Sequence, residues 1–282
     1  MAFTQFDHVP NHYAGTIIRR VKELRQAQGK RSLLPTLLRV GELEVLIPRY
    51  FGFCFGVERA IHMAFAALEK NPGRRINLVS EIIHNPVVNN DLQERGIRFV
   101  YDENGERNIP EEGIDAEDVV LIPAFGTTLE IESSLDRSGI DTSSAEFRDN
   151  YDTTCPFVSK VWDRGEQLGL EGYTIVIHGK FRHEETQATH SRTKRHGPTL
   201  VVLNAAEARQ VRDFIIGESD LEQFRQAFAG KWSAEFEPTR HLQRVAVVNQ
   251  TTMLAEETRE VAAIIRNAMA QRYGEDNLEH HF

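Results

Sequence analysis

The 282-residue chain is 40% hydrophobic, which supports a real core in one large domain or two of ordinary size. Its net charge of −9 argues against nucleic acid as the main partner, and no apolar run approaches the roughly 18 residues of a membrane span. Two cysteines, with no apolar secretory core in MAFTQFDHVPNHYAG, point to a reducing cytoplasm and no disulfide framework.

Residues 1–43 read as an N-terminal extension, with seven Lys/Arg against three Asp/Glu and a helix near 15–28. That amphipathic, basic helix also leaves an organelle-targeting reading open. From residue 44 the pattern alternates strand and helix. EVLIPR (44–49) predicts a short strand, and the turn YFGFCFG follows. Val57, Ala60, Ile61, Ala64, Phe65 and Leu68 then recur at helical spacing until NPG (71–73) stops the helix. INLVS (76–80) predicts a strand and 86–95 a helix; DVVLIPAFG (118–126) predicts a strand and 128–135 a helix. The polar run DRSGIDTSSAEFRDN marks a domain boundary near 140–155. A second series follows: a helix at 156–168 opened by proline, a buried strand at 173–179, helices at 184–194 and 205–215, strands at 199–203 and 244–250, and a helix at 254–272. Such alternation means βαβ units with small, mostly parallel sheets, an α/β fold with domains at 44–150 and 151–282.

The chemistry-bearing residues share one placement, at the carboxyl ends of predicted strands. Cys54 follows the first strand, and His84 with Asn85 the second. Cys155 opens a helix, His178 ends a strand just ahead of His183, Glu184 and Glu185, and Gln250, Thr251 and Thr252 end the last strand. Ligands of open parallel sheets bind at such ends, and helix N-termini there favour anions. The set suits thiolate–metal bonding beside a phosphate-like group. Each residue also has a plainer reading: a structural cysteine, a satisfied polar histidine, a threonine helix cap, a solvated HEE helix start, phenylalanines that only pack. The joint placement is what lifts them.

Taken together, GFCFGVERAI, EIIHNPVV, IPAFG, DTTCPFVSKV, HGKFRHEETQAT and NQTTML resemble the 4-hydroxy-3-methylbut-2-enyl diphosphate reductase family, over about residues 44 to 255 and in the family's order. The IPAFG form is similar to the longer plant and cyanobacterial branch, which also carries an N-terminal extension. The resemblance implies three similar α/β domains in a trefoil-like arrangement around an oxygen-sensitive [4Fe–4S] cluster. It implies Cys54 and Cys155 as cluster ligands, and His84, His183 and Thr251 as substrate-binding residues. Glu185 matches the proton donor. The implied reaction is reductive dehydroxylation of an allylic diphosphate to isopentenyl and dimethylallyl diphosphate. A ferredoxin- or flavodoxin-type electron donor and a cytoplasmic location go with it.

Two departures qualify the resemblance. Phe125 stands where the shorter bacterial branch has a histidine. The family's third cysteine, in a third domain with a serine/asparagine cluster for the diphosphate, has no counterpart here. The chain therefore reads as lacking the third domain, with apolar surface uncovered, self-association expected and activity in doubt. A third ligand from His280 or His281, or from a second chain, is the alternative. The main rival reading is a catalytically inactive fragment that binds a diphosphate or docks a partner. A zinc-dependent hydrolase lacks any C-x-x-C or H-E-x-x-H pair, and a phosphate-binding dehydrogenase lacks G-x-G-x-x-G after a strand.

Overall fold

The computed structural model describes residues 13, 15–29, 32–49, 51–102 and 105–282. Residues 1–12, on which the reading of the chain's start rests, and Tyr50 in the turn before Cys54 lie outside them. Helix α1 (Thr16–Gln28) buries only Val21 among its residues. It leads into an antiparallel hairpin, β1 (Thr36–Val40) and β2 (Leu43–Ile47), with Val40 opposite Leu43. The two-residue turn needs Gly41 at φ +60, a conformation L side chains rarely adopt. The sequence pattern predicts β2 but not β1.

The first sheet comes next. Helix α2 (Phe55–Lys70) precedes β3 (Ile76–Leu78), α3 (Pro86–Glu94), β4 (Ile97–Phe99), β5 (Val119–Leu121), α4 (Leu129–Arg137) and α5 (Ala145–Asn150). The strand order is β4-β3-β5, all parallel, with Ile76 between Ile97 and Val119. Successive strand residues face opposite sides. Ile76, Leu78, Val119 and Leu121 therefore pack with Ala60, Ala64 and Leu92 of α2 and α3. Val120 and Ile122 pack the other way, against Leu135 of α4 and Phe147 of α5. Both faces are covered, which is why these strands read as continuous apolar runs.

The second sheet repeats the plan with α6 (Pro156–Leu170), β6 (Thr174–His178), α7 (Glu184–Thr193), β7 (Thr199–Val202), α8 (Ala205–Ile216), α9 (Leu221–Ala227), α10 (Pro238–His241), β8 (Val245–Asn249) and α11 (Ala255–Tyr273). Its order is β7-β6-β8, again all parallel. Every residue of β6 is buried. Val176, Leu200 and Val245 face Val211 of α8 and Ile265 of α11, while Ile175, Ile177 and Val201 face Leu168 of α6. At about 1.5–3 kcal/mol per buried aliphatic side chain, these two faces are the main source of stability for this half.

The two sheets meet at several points. Ile122 pairs with Asp152, so the segment ahead of Cys155 runs along the edge of the first sheet. The backbone N–H of Leu129 donates to Ser191 Oγ at 3.0 Å, and Lys194 reaches Glu130 at 2.6 Å, tying α4 to α7. Arg192 pairs with Glu132 across the same seam. Gly126, at φ +75, lets the chain close against Trp162 of α6, where a Cβ would lie 2.3 Å from the indole ring. Among the described residues, no helix is long and apolar enough to cross a membrane.

Candidate functional site

Cys54 and Cys155 each occupy the N-cap of a helix, α2 and α6, and neither side chain caps its own helix. Both are free thiols, Cys54 exposed and Cys155 half-buried. The two helix starts come together through Gly56: a Cβ there would lie 2.3 Å from Cys155 Sγ. Glycine at 56 is therefore a space requirement of the neighbouring sulfur. Arg59, one turn further along α2, donates to the carbonyls of Thr154 and Asp152 at 3.2 and 3.3 Å and holds the Cys155 loop in place.

The backbone N–H of Cys155 donates to the Ala124 carbonyl at 2.9 Å, so Phe125 stands beside the thiol loop. Phe125 stacks on His84 at 4.3 Å between ring centroids and meets His183 edge-on at 5.2 Å. His84, in the loop after β3, places Nδ1 2.8 Å from Glu81 Oε2 and Nε2 3.2 Å from His183 Nε2. His183 is the N-cap of α7, and its Nδ1 accepts the backbone N–H of Glu185 at 3.1 Å. That bond fixes a tautomer, since a ring nitrogen that accepts carries no hydrogen. The ring hydrogen of His183 is on Nε2, pointing at His84. Burial holds His183 down to about 4; the charge of Lys180, and that of His84 whenever it is protonated, act in the same direction.

Glu185 is fully buried. Its carboxylate accepts the backbone N–H of Thr251 and, at 3.0 Å, the Thr251 hydroxyl. Burial pushes its pKa up, opposed by those two hydrogen bonds. The segment carrying Thr251 is anchored by Gln250, whose Oε1 accepts from Lys180 N at 3.0 Å and from Thr186 Oγ1 at 3.1 Å. Gly179 completes this join: a Cβ there would sit 2.6 Å from Thr186 Oγ1. The ends of β6 and β8 are thereby locked to the start of α7.

His84, His183, Glu185 and Thr251 thus form one continuous contact series, and Phe125 connects it to the Cys155 loop. His178, though buried in the same sheet, points elsewhere, with Nδ1 2.9 Å from Thr258 Oγ1. His281 stacks on Tyr273 at 3.7 Å, and its carbonyl accepts from Val245 N. It lies at the amino end of β8, a strand length from Thr251, as does its neighbour His280. Sequence reasoning missed Glu81 and Asn89. Asn89 donates to Glu81 Oε1 at 2.8 Å and to the Ile83 carbonyl at 2.9 Å, which fixes the carboxylate behind His84. The available signal was a carboxylate three residues before the histidine in EIIH.

Among the described residues, no group of three or more His, Cys, Asp or Glu is placed to hold a metal ion. Two thiols fall short of the cysteine-rich ligation that iron–sulfur clusters use. The residues present therefore do not fit a complete four-iron cluster.

A family model described as LytB protein matches residues 45–278. The chain is 42% identical over 242 residues to a 4-hydroxy-3-methylbut-2-enyl diphosphate reductase of Synechococcus sp. (strain CC9605), covering 86% of this chain and 57% of that one. A reductase of the same name from Synechocystis sp. is 41% identical, with 86% and 60% covered. A solved structure titled as (E)-4-hydroxy-3-methyl-but-2-enyl diphosphate reductase, the terminal enzyme of the non-mevalonate pathway, superimposes with a TM-score of 0.51 at 28% identity over 76% of this chain and 60% of its own. A Plasmodium falciparum reductase structure shares the fold, with a TM-score of 0.52 at 21% identity over 80% of this chain and 55% of its own. The chain spans somewhat over half the length of these relatives.

Proposed function

Because the chain belongs to the LytB family, we propose that it carries the diphosphate-binding and proton-donating face of a 4-hydroxy-3-methylbut-2-enyl diphosphate reductase. The observation that carries this reading is the contact series of His84, His183, Glu185 and Thr251 beside the Cys54–Cys155 pair. His183 offers a fixed Nε2–H to a diphosphate oxygen, and His84 flanks it. The reaction removes a hydroxyl as water and consumes two electrons and two protons. Glu185 is the group to give one of those protons. Its raised pKa favours the acid form, and Thr251 stands between it and the surface. When Glu185 carries its proton on Oε2, that proton is donated to Thr251 Oγ1. The threonine hydroxyl then turns its own hydrogen outward, toward a substrate oxygen.

The family's [4Fe–4S] cluster belongs to this proposal only if a further ligand comes from outside the sequence in hand. A ferredoxin- or flavodoxin-type donor and a cytoplasmic location go with the full activity. In this reading residues 1–43 are an extension, and 44–150 and 151–282 are two α/β domains. The exposed hairpin makes self-association part of the proposal. The alternative, an inactive diphosphate-binding or partner-docking fragment, is favoured by the two-thiol donor set. Iron and sulfide analysis with electron paramagnetic resonance, after anaerobic reconstitution of the 282-residue chain, separates them. About four iron and four sulfide per chain, lost in Cys54→Ala or Cys155→Ala, supports the reductase reading. Tight inorganic pyrophosphate binding with no iron supports the alternative. Failure to bind pyrophosphate overturns the reductase reading and the diphosphate-binding form of the alternative.

A further inference from the structure

We propose that Glu81 makes anion binding at this site proton-linked: His84 takes up a proton at Nε2 when a diphosphate separates it from His183. This deepens the diphosphate reading above and rests on it. The argument begins with hydrogen counting. His183 Nδ1 is committed as acceptor of the Glu185 N–H, so its only ring hydrogen lies on Nε2. That nitrogen is 3.2 Å from His84 Nε2, and two nitrogens in contact share one hydrogen. His84 Nε2 is therefore the acceptor, and the hydrogen of His84 lies on Nδ1, facing Glu81 Oε2 at 2.8 Å. Every partner in the chain Glu81–His84–His183–Glu185 is satisfied with both imidazoles neutral.

This resting arrangement is unsuited to an anion. The one outward donor, His183 Nε2–H, is already used by His84, and His84 presents a lone pair. An anion gains two donors only if His84 becomes imidazolium and turns its new Nε2–H outward. Glu81 is built to support that charge. Its second oxygen is held by Asn89, itself buried and tied to the Ile83 carbonyl, so the carboxylate stays aligned on Nδ1. His183 does not serve as the proton acceptor, because its Nδ1 caps α7 and burial keeps it neutral. The charged and titratable groups facing His84 are Glu81 from its own loop, and His183 and Glu184 from α7. Lys180, after β6, bears on His183, and Phe125 covers the ring face without charge. Glu81 is thus a positioning residue that acts through His84.

The test is calorimetric titration of the 282-residue chain with inorganic pyrophosphate, run in two buffers of different ionisation enthalpy from about pH 6 to pH 8. Glu81→Gln and His84→Gln are run beside the unaltered chain, and the ligand's own protonation cancels in the comparison. The unaltered chain should take up more protons per pyrophosphate than either variant, by about half a proton or more near pH 7.5. Glu81→Gln should bind about tenfold more weakly at pH 8 and converge on the unaltered chain toward pH 6. Nitrogen-15 spectra of the ligand-free histidines should show His183 with hydrogen on Nε2 and His84 with hydrogen on Nδ1, the latter preference lost in Glu81→Gln. An unchanged backbone amide spectrum establishes that each variant is folded. Equal proton uptake and parallel pH curves in all three proteins would overturn the proposal while leaving diphosphate binding intact. No pyrophosphate binding by any of them would overturn both.

Discussion

Phe125 occupies the middle of the proposed anion-binding cluster, stacked on His84 and edge-on to His183, and offers neither of them a hydrogen bond. The site is thus one donor short on that side. Phe125→His places an imidazole where the phenyl ring sits, within reach of the same anion. Pyrophosphate affinity measured by calorimetry should rise about five- to tenfold at pH 6, where the new ring is charged, and less at pH 8. The residues that carry this cluster were legible in the sequence. Each histidine, threonine and carboxylate lies directly after a strand or at a helix start, and the parallel α/β plan sends all such positions to one side. Glu81 was not legible in this way. A lone carboxylate in a loop has no period and no cap signature. Only the fold shows that it faces the buried Asn89 on one side and an imidazole on the other.

At the scale of elements, the strongest sequence signals were punctuation. Asn85 followed by Pro86 opens α3, and the Asn85 side chain accepts the N–H groups of Val87 and Val88 at 3.1 and 3.3 Å. That cap also sets the direction in which His84, one residue earlier, leaves the loop. Asn85→Ala should cost about 1 kcal/mol in urea unfolding and weaken pyrophosphate binding a few-fold through misplaced His84. The elements that sequence reading missed are short or irregular. β4 has three residues, and the apolar residues of β1 at 37, 38 and 40 fit neither a strand nor a helix period. α5 hides in a polar stretch that reads as a boundary, although Ser144 caps it by accepting the Phe147 N–H. α9 carried a readable signal, the Asp220–Gln223 capping box. The hairpin leaves Val40, Leu43 and Leu46 exposed at 58, 69 and 66%. Two strands alone are marginal in water, and exposed apolar surface of this kind drives association. Leu43→Lys with Leu46→Lys should lower the association constant in sedimentation by about tenfold or more.

For the whole molecule, α7 is the member that both sheets depend on. It presents His183 and Glu185 to the site and takes ion pairs from α4 through Arg192 and Lys194. It also carries His190, which burial, with the charge of Lys194, holds down to about 4. His183 is held down to about 4 by burial as well. Both depart from an ordinary value of 6.5, so the unfolded chain binds protons that the folded chain refuses. Their contribution is complete above pH 6.5 and declines as pH falls from 6.5 toward 4. Urea midpoints measured across that window should fall with pH, and His190→Gln should flatten the slope without moving the fold. The parallel two-sheet plan was legible from the alternation of strand and helix. The seam between the sheets was not, because it is made by Gly56, Gly126 and the α4–α7 pairs, whose partners are remote in sequence.

The meeting of two helix starts at Gly56 has a practical side. The chain has only two cysteines, and they stand on opposite sides of the junction between the two sheets. The unaltered protein therefore carries its own pair of attachment points for spin labels or a short bifunctional crosslinker. Exposed Cys54 should react first and half-buried Cys155 second. The distance distribution between two such labels, with and without pyrophosphate, tests whether that junction changes width, as a molecular calliper that needs no engineered residue.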